Sequence, residues 1–372
     1  MKFIIDKSIL LEALTNVTRA IGARTTIPIL NGIKFDLNSD GLSLVASDGE
    51  VAIKINIPEK DIKNIEKQGV MIIQSKYILE IVRKMPSDVI TFESLDNTKI
   101  KIYTDNNEYS LNCYEIDDYP HISLEESKEP ITIKASTLKN IINETSYAVS
   151  LQEVRPLLTG INLKINGDML ECIATDSYRL AKKNVKLDSY FNNIINIVIP
   201  GKSINEFEKM INDDEDIVMN IFNNKIMFQY KNILFQTNLL SGTYPDTNHF
   251  IPSEFAYIIN LNLKSFNDAV DRAALLAQSK DKNIVRVSIE DKTMVISSRA
   301  SEIGKTEEKL AIECSNKEKL EVAFSSRYML EALKVIKDDN ILLLINSDDK
   351  PILIKSVKDE SLIELILPVK TY

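Results

Sequence analysis

The stretch CIATDSYRLAKKN, from Cys172 to Asn184, brings together side chains of several reactive kinds. Between Thr175 and Leu180 it holds one carboxylate, two hydroxyls, one phenol and one guanidinium. Such a set could form the floor of an active site, because carboxylates act as bases and hydroxyls as nucleophiles. It could also be a polar turn between two strands, or a docking loop for a larger partner. Residue types alone leave these three interpretations open.

Other motifs give little support to an enzyme. The segment PGKS, at Pro200–Ser203, is similar to the end of a phosphate loop, but the glycine required upstream would fall on Asn196. We therefore expect Lys202 to open a helix. The chain contains neither GxGxxG nor GxSxG. Its two histidines, His121 and His249, lie in predicted linkers, which leaves almost no material for histidine acid–base or metal chemistry.

Three acidic clusters could in principle bind a divalent metal ion. They lie at residues 213–216, at Asp117 and Asp118, and at Asp348 and Asp349. Carboxylates also collect in solvated turns, where they accept hydrogen bonds from the backbone. The turn interpretation is the stronger one at each place, so we predict no metal site and no cofactor.

Composition indicates a globular protein of more than one domain. The chain has 372 residues, of which 44% are apolar and 27% charged. No apolar run approaches the roughly 18 residues of a membrane span, and Asp6 and Glu12 interrupt the opening segment, which argues against a signal peptide. The three cysteines have neither metal-type spacing nor an even count for disulfides. We therefore expect a cytoplasmic protein.

One structural pattern recurs six times along the chain. Each third of the sequence opens with a short strand, an amphipathic helix and alternating strands, and the midpoint of each third repeats this order. The predicted helices fall in windows 7–24, 76–84, 134–147, 202–211, 264–282 and 327–337.

Residue periodicity supports these helices and the strands between them. Two helices show one apolar stripe each at i, i+3, i+4 spacing. The stripes are Phe266, Ala269, Val270, Ala273, Ala274 and Ala277, and Met329, Ala332, Leu333 and Ile336. Between helices the period changes to two, as in GLSLVAS, KIKIYT and KPILIKS. The pattern predicts an α+β fold in which each helix packs on one side of an antiparallel sheet.

The repeat also predicts the domain organisation. Two strand–helix units per third give a domain of two helices and about eight strands. The connecting segments are HISLEESKEP, at residues 121–130, and HFIPSEFAY, at residues 249–257. We therefore predict three domains, at residues 1–122, 129–250 and 255–372.

Charge is unevenly distributed between helices and strands. The formal net charge of the chain is −9, yet the six helix windows together carry a net positive charge. Charge scattered at random over solvated faces is the alternative explanation. A positive helical face without base-reading motifs predicts sequence-independent contacts to DNA phosphates.

Together these residues resemble the family of bacterial DNA polymerase III β subunits, the replicative sliding clamps. The resemblance covers the whole chain. Its most specific pieces are MKF at the start, GARTTIPIL (22–30), EVRPLLTGI (153–161), ATDSYRLA (174–181), GTYPD (242–246) and LPVKTY (367–372). It implies the DNA clamp fold and a non-catalytic processivity factor that encircles duplex DNA, as a homodimer closed head to tail into a ring. Helices would line the hole, and the protein would lie at the nucleoid during replication.

The resemblance also implies which residues contact DNA and the second copy. The DNA-facing positions are Arg24, Gln152 and Lys202. The dimer contact is expected at Tyr109, Leu111, Leu275 and Leu276, for which ordinary domain core is the alternative. Some family members place two tyrosines where this chain has Pro156 and Leu157.

In the family, the opening motif contributes to a groove that binds short linear peptides of polymerases, the clamp loader and repair proteins. The matching positions here are Leu158, Thr175, Ser177, Tyr178, Arg179, Leu180, Pro245, His249, Phe250, Tyr328, Pro351, Leu365, Leu367, Pro368, Val369 and Lys370. A well-known member has arginine at the place of His249 and histidine at the place of Tyr178. A seam between domains, stabilised by the C-terminal tail, is the alternative interpretation.

Comparison of the repeats assigns Asp176 a separate role. The first third reads ASDGEVAI at residues 46–53, where Asp48 takes the place of Asp176. We therefore expect Asp176 to shape a turn. Two other function classes find little support. A sequence-specific DNA-binding regulator would need a helix rich in Arg, Asn and Gln, and no predicted helix has one. A hydrolase would need a carboxylate site that no motif marks.

Overall fold

The computed structural model describes residues 1–22, 27–277, 283–300 and 304–370. All six predicted helices are confirmed. They are α1 Lys7–Val17, α2 Ser75–Lys84, α3 Ala135–Thr145, α4 Gly201–Glu208, α5 Leu263–Ala277 and α6 Ser326–Val335. Among the described helices, none combines the length and the apolar character needed to cross a membrane.

The strands follow the same repeating order between the helices. They are β1 Lys2–Asp6, β2 Gly32–Asn38, β3 Gly41–Ser47, β4 Val51–Pro58, β5 Ile62–Lys67, β6 Gly69–Gln74, β7 Val89–Ser94, β8 Lys99–Tyr103, β9 Glu108–Asn112, β10 Ile131–Lys134, β11 Gly160–Thr175, β12 Arg179–Pro200, β13 Asp216–Ile221, β14 Lys225–Tyr230, β15 Ile233–Asn238, β16 Tyr257–Asn262, β17 Ile284–Glu290, β18 Thr293–Ala300, β19 Gly304–Ala311, β20 Glu313–Cys314, β21 Leu320–Ser325, β22 Asn340–Ile345, β23 Ile352–Ser356 and β24 Leu362–Ile366.

Backbone contacts divide the chain into two compact units. Unit 1 comprises Met1–Leu138 and Ser203–Leu239. It holds a five-stranded sheet in the order β5-β1-β7-β8-β9 and an eight-stranded sheet in the order β10-β13-β14-β15-β4-β3-β2-β6. Stacked aromatic rings fill its core, with Phe3 and Phe92 centroids 4.9 Å apart.

Unit 2 comprises Lys139–Lys202 and Leu240–Tyr372. It holds a seven-stranded sheet in the order β11-β12-β24-β23-β22-β16-β20 and a four-stranded sheet in the order β19-β18-β17-β21. The predicted stripe of α5 is buried along its whole length. The side-chain oxygen of Asn262 accepts the Ser265 N–H at 2.9 Å, which caps the start of this helix.

The sheets extend beyond the predicted thirds of the sequence. Strand β4 pairs with β15, from Val51 opposite Thr237 to Ile55 opposite Ile233, and β12 pairs with β24. A strand at the edge of a sheet has unpaired backbone groups, which such pairing satisfies. These contacts therefore do not test the predicted domain boundaries. The bounds remain a prediction, with domains at residues 1–122, 129–250 and 255–372.

Candidate functional site

The opening motif forms a tight turn between β11 and β12. The Oδ1 atom of Asp176 accepts the backbone N–H groups of Tyr178 and Arg179, at 2.9 and 3.0 Å. The Thr175 hydroxyl accepts the Ser177 N–H at 3.1 Å and donates to the Arg179 carbonyl. Ser177 has φ +78, in the left-handed region. The Asp176 carboxylate therefore accepts hydrogen bonds from backbone groups of its own turn.

The first third of the chain contains the same turn. The Oδ1 atom of Asp48 accepts the N–H groups of Glu50 and Val51, at 3.0 and 2.8 Å. The Ser47 hydroxyl donates to the Val51 carbonyl and accepts the Gly49 N–H, as Thr175 does in the second third. Gly49 also has positive φ. This correspondence confirms the prediction that Asp176 shapes a turn.

A cavity of about 520 Å³ lies beside this turn in unit 2. Its deep wall is apolar, because Leu158, Leu180 and Leu365 are buried together in one hydrophobic cluster. Its outer wall contains large apolar side chains in contact with solvent: Tyr178 is 62% exposed and Phe250 is 58% exposed. Exposed aromatic groups beside a buried apolar wall are typical of a binding site.

Most of the predicted groove residues line this cavity. They are Leu158, Thr175, Ser177, Tyr178, Arg179, Leu180, Pro245, Phe250, Leu365 and Leu367. Five residues that were not among the predicted ones also line it: Arg155, Pro156, Leu157, Ser241 and Thr247. The motif EVRPLLTGI contained a signal for the first three. Leu157 lies against Gly242, whose φ of +130 favours glycine at that position.

The remaining predicted groove residues lie outside the cavity lining. His249 is exposed, and its Nε2 atom is 3.3 Å from the Asp246 carboxylate on the same loop. The ring of Tyr328 stacks on that of Tyr178, with centroids 6.5 Å apart, but Tyr328 does not itself line the cavity. Pro351 and Pro368 line neither this cavity nor the second, more polar hollow near the end of the chain, which is described next.

The end of the chain contributes to two hollows. The Leu367 N–H donates to the Tyr178 carbonyl at 2.8 Å, which places Leu367 in the cavity wall. The Val369 N–H donates to the Ala323 carbonyl at 2.7 Å. Val369 and Lys370 line a second, more polar hollow of about 610 Å³, together with Asp348 and Asp349. The tail is thus fixed to the protein by backbone hydrogen bonds.

Arg179 lines the cavity but makes its polar contacts inside the protein. Its Nε atom lies 3.1 Å from Asp176 Oδ2, one terminal nitrogen donates to the Tyr147 carbonyl at 2.6 Å, and the other donates to Glu331. The guanidinium carbon lies 4.6 Å from the Tyr328 ring centroid and 5.1 Å from that of Tyr147. Burial by itself raises the pKa of Glu331, but hydrogen bonds from arginines outweigh it and hold that pKa below its ordinary value.

A second buried polar group lies behind the cavity wall. Glu364, on β24, is fully buried and accepts the hydroxyl proton of Tyr147. Burial, reinforced by the nearby charge of Glu144, raises the pKa of Glu364 well above its ordinary value. Lys183 lies 2.8 Å from Glu144 and pairs also with Asp359. These groups belong to unit 2.

The predicted DNA-facing residues are placed as follows. Arg24 lies outside the described residues. Gln152 is exposed in a loop, where its N–H donates to the Ser150 hydroxyl at 3.1 Å. Lys202 is exposed in the first turn of α4, which confirms that it opens a helix and not a phosphate loop.

The predicted dimer residues lie at an edge strand and at the end of a helix. Tyr109, on the edge strand β9, is 40% exposed. Leu275, near the end of α5, is 68% exposed, and Leu111 and Leu276 are half-buried. Exposure of these large apolar side chains argues against the alternative of ordinary domain core.

The acidic cluster at residues 213–216 has polar partners within the protein. Asp213 pairs with Lys231, Asp214 accepts the Ser136 N–H at 2.9 Å, and Asp216 lies 2.7 Å from Lys134. Within the part of the chain that the structure describes, no group of three or more His, Cys, Asp and Glu side chains could hold a metal ion.

Comparison with known proteins gives a consistent result over the whole length. Models of the N-terminal, central and C-terminal domains of the DNA polymerase III beta subunit match residues 1–123, 132–246 and 248–370. The Beta sliding clamp of Bacillus subtilis (strain 168) is 40% identical, with both chains covered completely. The crystal structure of the B. subtilis DNA polymerase sliding clamp superposes with a TM-score of 0.96. That of the DNA polymerase III beta chain of Streptococcus pneumoniae TIGR4 has the same score at 30% identity, again with full coverage of both chains.

Proposed function

The chain belongs to the family of DNA polymerase III β subunits and is a DNA sliding clamp, and on this basis we propose that two copies close head to tail around duplex DNA. The clamp is a non-catalytic processivity factor whose partners include DNA and a DNA polymerase. In our proposal Tyr109 and Leu111 of one copy meet Leu275 and Leu276 of the other. An exposed apolar edge strand and helix end support this contact, since both lose their exposed apolar surface when it forms.

We propose further that the cavity beside the 176–178 turn binds short linear peptides of the polymerase, the clamp loader and repair proteins. The observation that carries this proposal is the cavity itself, with its buried leucine wall and its exposed aromatic rim. Apolar walls of this kind anchor one or two side chains, and a few polar groups orient the peptide backbone. Because these partners would occupy the same cavity, they compete for it.

The DNA contact in this proposal is transient and independent of sequence. Lys202 on α4, Gln152 and Arg24 would contact the phosphates, and contacts to phosphates, which carry no sequence information, allow the ring to slide. We place the protein in the cytoplasm, at the nucleoid during replication, with domains at 1–122, 129–250 and 255–372.

Two variants test the groove. Deleting the tail from Pro368 onward, or changing Leu180→Asp, should abolish binding to the replicative polymerase of the same cell. The deletion removes the Val369–Ala323 hydrogen bond that anchors the chain just after Leu367, a residue of the cavity wall. Leu180→Asp places a charge in the apolar wall. Both variants should remain folded dimers by native mass spectrometry. Ile194→Asp is a matched control, since Ile194 is a 64% exposed apolar residue that does not line the cavity. Normal polymerase binding by both test variants would place the site elsewhere.

A further inference from the structure

The cavity wall depends on a set of contacts that we call the arginine buttress, formed by Tyr147, Asp176, Arg179, Tyr328 and Glu331. Arg179 is 5% exposed, and each of its three guanidinium nitrogens has an acceptor within the protein. Two aromatic rings cover the guanidinium. Three of its five N–H donors are thus directed to acceptors within the protein.

The buttress joins the turn to a firmly packed helix. Glu331 lies on α6, whose Met329, Ala332 and Leu333 are buried in the main core of unit 2. Through Arg179 this helix fixes the turn that carries Tyr178, and the Tyr178 ring stacks on Tyr328 of the same helix. Tyr178 in turn accepts the backbone hydrogen bond that places Leu367. One ion pair therefore supports two pieces of the cavity wall.

We propose that Glu331 and Tyr147 are positioning residues of the groove, which hold the Arg179 guanidinium behind the wall so that the 176–178 turn is already in its binding conformation before a peptide arrives. The inference rests on the proposed function of the cavity. Its physical reason is preorganisation: a turn ordered in advance does not have to lose conformational freedom when the ligand binds. Arg179 then acts through its internal hydrogen bonds and not through its charge toward the peptide.

The decisive variant is Glu331→Ala, tested as the full-length clamp against the purified replicative polymerase of the same cell. If the buttress positions the wall, affinity should fall about tenfold, the size expected for a lost hydrogen bond to a charged group. If Arg179 instead contacts the peptide directly, releasing it from Glu331 should leave affinity unchanged or increase it. Glu331→Gln, which retains an acceptor for Arg179, should recover part of the loss.

Arg327→Ala is the matched control. The Nε atom of Arg327 lies 3.0 Å from the other oxygen of Glu331, so this variant removes an ion pair from Glu331 without touching Arg179. Its affinity for the polymerase should stay within about twofold of the unchanged clamp, because an exposed ion pair contributes little.

A spectroscopic readout separates local loosening from general damage. The chain contains no tryptophan, so Tyr178→Trp provides a single reporter on the turn. In the Glu331→Ala background, acrylamide should quench this reporter more strongly while the melting temperature of the dimer changes little. Unchanged quenching, or unchanged polymerase affinity, in both Glu331 variants would overturn the proposal. Should Leu180→Asp also bind normally, the proposed function of the cavity fails as well; should Leu180→Asp alone lose binding, only the buttress is wrong.

Discussion

At the scale of single residues, the polar groups of the opening motif act on the protein's own structure. Asp176 and Thr175 complete a turn, and Arg179 holds that turn against α6. The turn role of Asp176 could be predicted, because the first third carries the same local sequence around Asp48. The contact between Arg179 and Glu331 could not be predicted, since the two residues are 152 positions apart in the chain. Nothing in a local pattern indicates such a contact.

Glu364 provides a test by pH. Its pKa in the folded state lies well above its ordinary value of 4.5. The contribution of Glu364 to stability is therefore fully present below pH 4.5 and is lost as the pH rises from there toward the folded-state pKa. Glu364→Gln has no proton to lose, and the Tyr147 hydroxyl can still donate to its amide oxygen. The free energy of unfolding of the variant, relative to the unchanged clamp, should therefore increase between pH 5 and pH 8, by at most about 1.4 kcal/mol per pH unit.

Chemical denaturation across this pH range measures that difference. The charged groups around Glu364 are Glu144, Arg179 and Lys183, and they are unchanged in both proteins. Glu360→Gln controls for the loss of one negative charge, since Glu360 is exposed. A difference that stays flat from pH 5 to pH 8 would contradict the assignment of Glu364 as a buried, protonated acid.

At the scale of elements, the helices were predictable and the sheets only in part. The stripe from Phe266 to Ala277 determines which face of α5 is buried. Such a stripe can be read from the sequence, because a helix brings residues three and four positions apart onto the same face. Strand periodicity likewise predicts strands such as β3 and β23. It does not predict that β4 pairs with β15, because that pairing joins segments from different thirds of the chain. The cavity could not be predicted from strand periodicity for the same reason. Leu180 and Leu365 become opposite residues only when β12 pairs with β24.

The edge strand and α5 carry the prediction about assembly. Changing both Leu275 and Leu276 to Asp should convert the dimer to folded monomers, because the charges would be buried in an apolar contact without partners. Native mass spectrometry should show the mass of the assembly fall from twice 42.1 kDa for the dimer to 42.1 kDa for the monomer. Val357→Asp is a control, since Val357 is an exposed apolar residue outside the proposed contact. A stable dimer of the double variant would rule out these residues as the contact.

At the scale of the whole molecule, the proposed DNA contact depends on a positively charged helical face in a chain of net charge −9. Lys202→Ala should weaken binding to duplex DNA about equally for all sequences and lower the salt dependence of the affinity by about one unit of slope, since one phosphate is no longer neutralised. Lys186→Ala, an exposed lysine on a strand, is the matched control. Fluorescence titrations at several salt concentrations measure both effects, and a marked preference for one sequence would favour a sequence-specific regulator.

Topology provides an independent test of the ring. A clamp loaded on circular DNA should remain bound through gel filtration and should dissociate once the circle is cut at a single distant site. A protein that recognises a particular sequence should be indifferent to that cut. Retention on the linear DNA would therefore contradict encirclement.

The pairing of β4 with β15 and of β12 with β24 has a mechanical consequence. In terms of the matched family domains, the first pair joins the N-terminal domain to the central one, and the second joins the central domain to the C-terminal one. Pulling either junction apart requires several backbone hydrogen bonds to rupture together under load. The proposed contact between copies involves exposed apolar side chains at β9 and the end of α5, and we expect it to separate at a lower force. In the proposed ring, we therefore expect opening to separate the two chains from each other while each chain remains folded.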